Sequence, residues 1–239
     1  MLINQETCLA CGQCVSRCPV GAIKSTDAGV QIDQDECVEC GVCKRWRICP
    51  SESFEQQELE WPRSIRKFMS DVQAVSAATM IPGRGTEEMK TNDVTGRFKK
   101  GWVGIAVELG RPGVATRLYD VEKVAMAVAK DGVIFEEGNP ITSLIADLKT
   151  GKFKEEVLNE RVLSSIVEFT VPLEKVAASL NRIQEVTDDL DTVYSLDICS
   201  TVAEDGSIPH EKIIAELGMW QSPNGKTNIG LGRPLAKEA

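Results

Sequence analysis

Eight of the chain's nine cysteines fall between residues 8 and 49, and they fall twice in the same order. Displaced by 29 residues, Ile3-Asn4-Gln5-Glu6-Thr7-Cys8 lies over Ile32-Asp33-Gln34-Asp35-Glu36-Cys37, with Cys11 over Cys40 and Cys14 over Cys43. The fourth cysteine breaks the register: Cys18 meets Arg47, and the second C-P arrives only at Cys49-Pro50. Each copy therefore reads C-x2-C-x2-C followed by a separated C-P. Three thiolates at that spacing wrap one multinuclear cluster and leave its fourth ligand to come from elsewhere. Paired C-x2-C units also suit tetrahedral zinc, although three cysteines in series plus C-P, twice over, is not the usual zinc pattern.

Composition decides between metal and disulfides. Nine cysteines would staple a small secreted domain, but here they crowd one end of a 239-residue chain that is 42% hydrophobic and long enough for a sizeable core. In a reducing compartment such crowding points to metal. The opening MLINQETCLACGQC lacks the basic and apolar regions of a secretory signal, and no apolar run reaches about 18 residues. The expectation is a cytoplasmic protein with no membrane insertion. A formal charge of -9 leaves no basic excess for phosphates, so nucleic acid is not an expected partner.

The double motif resembles the bacterial two-cluster ferredoxin family, whose signature is C-x2-C-x2-C-x3-C-P and in which the last cysteine of each copy ligates the other copy's cluster. The resemblance covers residues 1–58, and it implies two [4Fe–4S] clusters, one held by Cys8, Cys11, Cys14 and Cys49, the other by Cys37, Cys40, Cys43 and Cys18. Two such clusters would carry the net charge to about -13. The departure from the family pattern is the x5 spacing of the second copy, which lengthens the loop Lys44-Arg45-Trp46-Arg47-Ile48. Its three cations are expected to stabilise the reduced state and raise the potential, with Trp46 as a lid over the sulfurs; the alternative is a solvated loop that tolerates insertion.

Residues 59–100 read as a connector. A helix is expected after Pro62, with Ile65, Phe68, Met69 and Val72 on one side and Arg63, Arg66 and Lys67 on a solvated face. Gly83-Arg84-Gly85-Thr86 faintly suggests an anion nest, but fits neither phosphate-loop spacing and reads better as a turn.

From Gly101 the texture becomes periodic. Val103, Ile105, Val107 and Leu109 alternate as a strand; Val121, Val124, Ala125 and Val128 follow at helical spacing; Asp131-Gly132 turns into Val133-Ile134-Phe135. The order recurs with the strand VLSSIVEFTV, the helical stripe Leu173, Val176, Leu180 and Ile183, and the strand Tyr194, Leu196 and Ile198. The expected class is α+β: an N-terminal two-cluster ferredoxin domain, then a βαβ-βαβ ferredoxin-like plait over 101–205, loosely resembling ACT-type plaits in topology alone. A short helix from Ile141 to Lys149 is expected between the units, and a helix with an irregular tail over 206–239. Trp102, Ala106, Glu108, Ile166, Glu168, Asp197 and Cys199 then fall on the sheet's bare face, suited to a homodimer interface or to cover by the C-terminal segment. Cys199 reads as a small strand residue, and His210, the single histidine, has no evident nucleophile beside it.

Function follows from what is present: eight thiols and no catalytic constellation. The expected role is electron transfer to or from a partner oxidoreductase that carries another cofactor. Two alternatives are a redox enzyme with substrate between the domains, near Arg84, Lys99 and Lys100, and a ligand or redox sensor using the plait.

Overall fold

The computed structural model describes residues 1–75, 97–111 and 113–223. The stretch Gly83–Thr86 with Arg84, and the tail after residue 223, lie outside the described residues.

The sequence repeat is a repeat of backbone conformation. Asn4 and Asp33 open the two copies alike: the Asn4 side chain accepts from Glu6 N at 3.0 Å and its carbonyl from Cys8 N at 3.1 Å, and Asp33 does the same with Asp35 N and Cys37 N at 3.1 and 3.0 Å. Both are Asx turns. The left-handed positions match as well, Ala10 with Glu39 at φ 50° and 56°, and Gly12 with Gly41 at φ 70° and 68°. The two extra residues of the second copy are absorbed by the helical turn α1 (Val42–Arg45) and by Arg47 at φ 48°. Beyond them the match resumes at Gly21 and Glu52, φ 67° and 51°. Four short strands, β1 (Leu2–Ile3), β2 (Ile23–Thr26), β3 (Gly29–Ile32) and β4 (Phe54–Glu55), then close two antiparallel ladders, with Ile3 opposite Phe54 and Ile23 opposite Ile32. Met1, Cys14, Ile23, Val30 and Phe54 form the small core between them.

The connector helix α2 spans Ser64–Ser70 and ends where Asp71 turns extended, so Val72 falls outside it and is exposed. Ile65 and Met69 are buried in the main core. Arg66 is also buried, which corrects the expectation of a solvated basic face.

The main sheet comprises β5 (Trp102–Leu109), β7 (Ile134–Phe135), β11 (Ser165–Pro172) and β12 (Tyr194–Ser200), antiparallel in the order β12-β5-β11-β7. Helices α3 (Leu118–Ala129) and α4 (Val176–Thr187) pack on it. Val107 stands between Val167 and Leu196, and Ile105 between Phe169 and Ile198, placing one side of each strand under Val121, Val124, Val128, Leu180 and Ile183. This alternation is the two-residue period of the sequence made into a core.

Three features differ from expectation. Ile141–Lys149 is not a helix but a 3-10 turn (Thr142–Leu144) leading into the hairpin of β8 (Ile145–Asp147) and β9 (Lys152–Phe153). Asp147 accepts from Lys149 N at 3.0 Å and Thr150 Oγ1 at 2.9 Å, and Gly151 at φ 73° closes the turn; this local capping outcompetes helix propensity. A pair of two-residue strands, β6 (Thr116–Arg117) and β10 (Arg161–Val162), forms a separate antiparallel ladder. Finally, the far face of the main sheet is partly covered by the chain itself. Phe98 is buried against Gly104, where an added Cβ would come within 2.2 Å of its ring and 3.0 Å of Cys199 Sγ. Glu168 is buried beneath Asn139, which donates to it at 2.7 Å. The helix α5 (Glu211–Glu216) follows His210, which is buried with Nδ1 2.8 Å from Ser200 Oγ.

Candidate metal centre

Two pockets are lined by thiols, four each. Cys8, Cys11, Cys14 and Cys49 line one, walled by Ile3, Leu9, Val30, Ile48 and Phe54 with Ser51 and Ser53. Cys18, Cys37, Cys40 and Cys43 line the other, walled by Met1, Val20, Ile23, Ile32 and Val38 with Glu39. The crossing of Cys49 into the first set and Cys18 into the second follows from the ladders, which bring the end of each copy beside the start of the other. Among the described residues, no three His, Cys, Asp or Glu side chains converge on a point as a single-ion site requires.

Backbone amides point at the sulfurs. Ala22 N donates to Cys18 Sγ at 3.2 Å, and at the matching position Ser53 N donates to Cys49 Sγ at 3.3 Å. Burial raises the Cys49 thiol, but Ser51 and Ser53 donors outweigh it and bring it to about 7. In the second pocket burial pushes the Cys43 thiol up to about 12, with Cys40, Cys37 and Cys18 adding repulsion, and Cys37 and Cys40 are raised by burial too. Four thiolates crowded in apolar walls need a cationic centre to coexist. Four thiols, largely apolar walls and N–H···S bonds are a donor set that suits iron–sulfur chemistry.

Trp46 does not form the expected lid over the sulfurs, and the loop fits the alternative of a solvated insertion. Trp46 is 70% exposed and absent from either pocket wall, while Ile48 covers the first one. Arg45 turns away to Asp71, 2.5 Å, leaving Lys44 and Arg47 as the loop's exposed cations.

What the sequence reading missed is an arginine cradle around residues 34–39. Arg66 donates to the carbonyls of Gln34, Asp35 and Cys37 at 3.1, 2.7 and 2.9 Å and pairs with Glu160. Arg63 holds Glu39 Oε1 at 2.7 Å and Gln34 O at 2.8 Å. Arg161 donates to Glu36 O and Val114 O, both at 2.9 Å, and Arg117 reaches Asp35 Oδ2 at 2.6 Å. Burial disfavours ionised Glu39, yet hydrogen bonds from the Met1 amino group and Arg63 outweigh it and hold the carboxyl below its ordinary range. The signal was one residue: Glu39 stands inside C-V-E-C where the first copy has Ala10, a charge in a position walled by apolar groups.

Residues 1–24, the first cysteine copy, match the family model of the 4Fe-4S binding domain. The N-terminal region is thus a ferredoxin-type iron–sulfur domain. Among curated proteins, the chain is 42% identical over 48 residues to a subunit of the ion-translocating oxidoreductase complex of Methanosarcina acetivorans, covering 20% of this chain and 17% of that one. It is 27% identical over 92 residues to the DNA-directed RNA polymerase subunit Rpo3 of Methanosarcina mazei, 36% of this chain and 35% of the relative. The corresponding Methanosarcina acetivorans polymerase subunit is 26% identical over 98 residues, 38% and 37%. The chain therefore spans between about a sixth and little more than a third of the length of these relatives. No helix among the described residues is long and apolar enough to cross a membrane.

Proposed function

We propose that this chain is a cytoplasmic electron-transfer protein that holds two [4Fe–4S] clusters, one on Cys8, Cys11, Cys14 and Cys49 and one on Cys18, Cys37, Cys40 and Cys43, and works with a separate oxidoreductase carrying another cofactor. The observation that carries this reading is the pair of pockets, each walled by four thiols and apolar side chains. Bound clusters would supply reversible one-electron chemistry. The chain's own contribution is to fix the thiols, exclude water with Ile3, Ile23, Ile32 and Phe54, and aim Ala22 and Ser53 N–H groups at sulfur. The relative named as part of an oxidoreductase complex supports a partner complex. The domain plan is 1–58 for the clusters, 59–100 as connector, 101–205 as a ferredoxin-like plait, for which the strand order and the two crossover helices speak, and 206–239 as helix and tail. A homodimer through the plait would use β12, the more exposed edge. Anaerobic purification followed by chemical analysis should give about eight iron and eight sulfide per chain, with reversible bleaching by dithionite; zinc, or iron that does not bleach, defeats the proposal.

A second reading has its own support, the similarity to polymerase subunits and the arginine cradle that ties the second thiol pocket to the sheet: the cluster-bearing segment is an assembly element. Loss of the folded state when iron is removed, with no reversible redox cycle, would favour it.

A further inference from the structure

The two copies share a backbone but not an environment. At matched positions, Leu9 is 67% exposed and Val38 1%; Cys11 is exposed and Cys40 buried; Ala10 is exposed and Glu39 buried. The difference has a visible source. Val38 and Cys40 form one buried cluster with Ala115, against which Val20, Val42 and Leu163 pack. Gly113, at φ 68° in the same loop as Ala115, brings its backbone near Pro19 O, 3.6 Å from where a Cβ would stand. Arg161 spans the seam, joining Glu36 O to Val114 O, and Arg66 joins Cys37 O to Glu160. Nothing of this kind stands over Leu9 and Cys11 among the described residues, where the same loop faces solvent.

We propose that the two centres are inequivalent by construction. The chain seals the Cys18, Cys37, Cys40 and Cys43 pocket with its own 113–117 and 161–163 segments, making it an inner centre, and leaves the Cys8, Cys11, Cys14 and Cys49 pocket as the outer one through which exchange with solution passes. The proposal rests on the two-cluster reading above. Its physical basis is that a reagent reaches Cys40 of the inner set only after local opening of a packed seam, whereas Cys11 of the outer set is already exposed.

The test uses the whole iron-loaded chain and a water-soluble ferrous chelator under anaerobic conditions. Iron release is followed by absorbance, samples are quenched with iodoacetamide, and the alkylated cysteines are mapped by mass spectrometry. Two phases of equal amplitude are expected, the slow one at least about tenfold slower, since each factor of ten corresponds to a modest opening free energy. Cys8, Cys11, Cys14 and Cys49 should be alkylated in the fast phase. Arg161→Gln, or Arg117→Gln should the first variant not fold, should accelerate the slow phase and leave the fast one unchanged. Release in one phase, or early alkylation of Cys18, Cys37, Cys40 and Cys43, overturns the assignment of inner and outer centres while leaving the two-cluster reading intact. A starting iron content well below about eight per chain defeats that reading itself and this inference with it.

Discussion

Arg66 is the side chain on which the seam between the cysteine-rich region and the sheet most depends. It is 4% exposed, pairs with Glu160 and donates to three carbonyls of the loop that leads to Cys37. Arg66→Met keeps much of the volume and removes every donor, stranding a largely buried carboxylate. Breaking one side of a buried ion pair costs about 3–5 kcal/mol. For a chain of this length that corresponds to a fall of roughly 6–20 °C in melting temperature. Arg66→Lys retains the charge but not the planar fork, so it should lose about half as much. Because part of the cost is the unpaired carboxylate, Arg66→Met with Glu160→Met should recover stability relative to the single variant. Anaerobic thermal melts followed by circular dichroism measure all three. A loss below about 1 kcal/mol for Arg66→Met, or a double variant no better than the single, refutes the reasoning.

Val38→Ala should destabilise by about 2 kcal/mol and Leu9→Ala by less than about 0.5, in denaturant melts, because only Val38 is packed on all sides. Gly151→Ala should lower stability by about 2 kcal/mol or more in the same assay, since Gly151 has φ 73° and an added Cβ would come within 2.4 Å of Ala125 O. Burial lowers the pKa of His210, the chain's single histidine; a depressed folded pKa contributes stability fully above the unfolded value of about 6.5 and loses it as pH falls toward the folded one. Melting temperature should therefore drop as pH falls below about 6.5, and His210→Phe should flatten that drop. In voltammetry Arg47→Gln should lower a potential more than Arg45→Gln does, because Arg45 is already neutralised by Asp71.

How much of this was legible in the sequence depends on the range of the interaction. The thiols that share a C-x2-C-x2-C run line a common pocket, because three residues close in the chain are held by one loop conformation repeated at Asn4 and Asp33. The strands of the main sheet were legible for the same local reason: Val103, Ile105, Val107 and Leu109 alternate whatever they later touch. Resemblance, not spacing, supplied the crossing of Cys18 and Cys49. The hairpin after Ile145 was misread because Leu144, Ile145 and Leu148 mimic helical spacing, while the Asp147 and Gly151 turn chemistry that wins is carried by single residues. The arginine cradle left one local trace, Glu39 inside C-V-E-C, but its arginines left none. Arg66 meets Glu160, 94 positions away, and no local pattern distinguishes an arginine that will be buried from one that faces water. The same holds for the exposed Leu9 and buried Val38, since Val38 packs with Ala115 and Leu163, which lie far along the chain.

The central claim is that each of the two thiol pockets encloses its own cubane. Native mass spectrometry of anaerobically purified chain tests it most directly: the account predicts a species about 0.7 kDa heavier than the 26.1 kDa polypeptide, with isotope spacing of iron and sulfide, the increment falling by half in Cys11→Ser and in Cys40→Ser alike. A bare polypeptide mass, an increment fitting zinc, or a single cubane in the unaltered chain would contradict it.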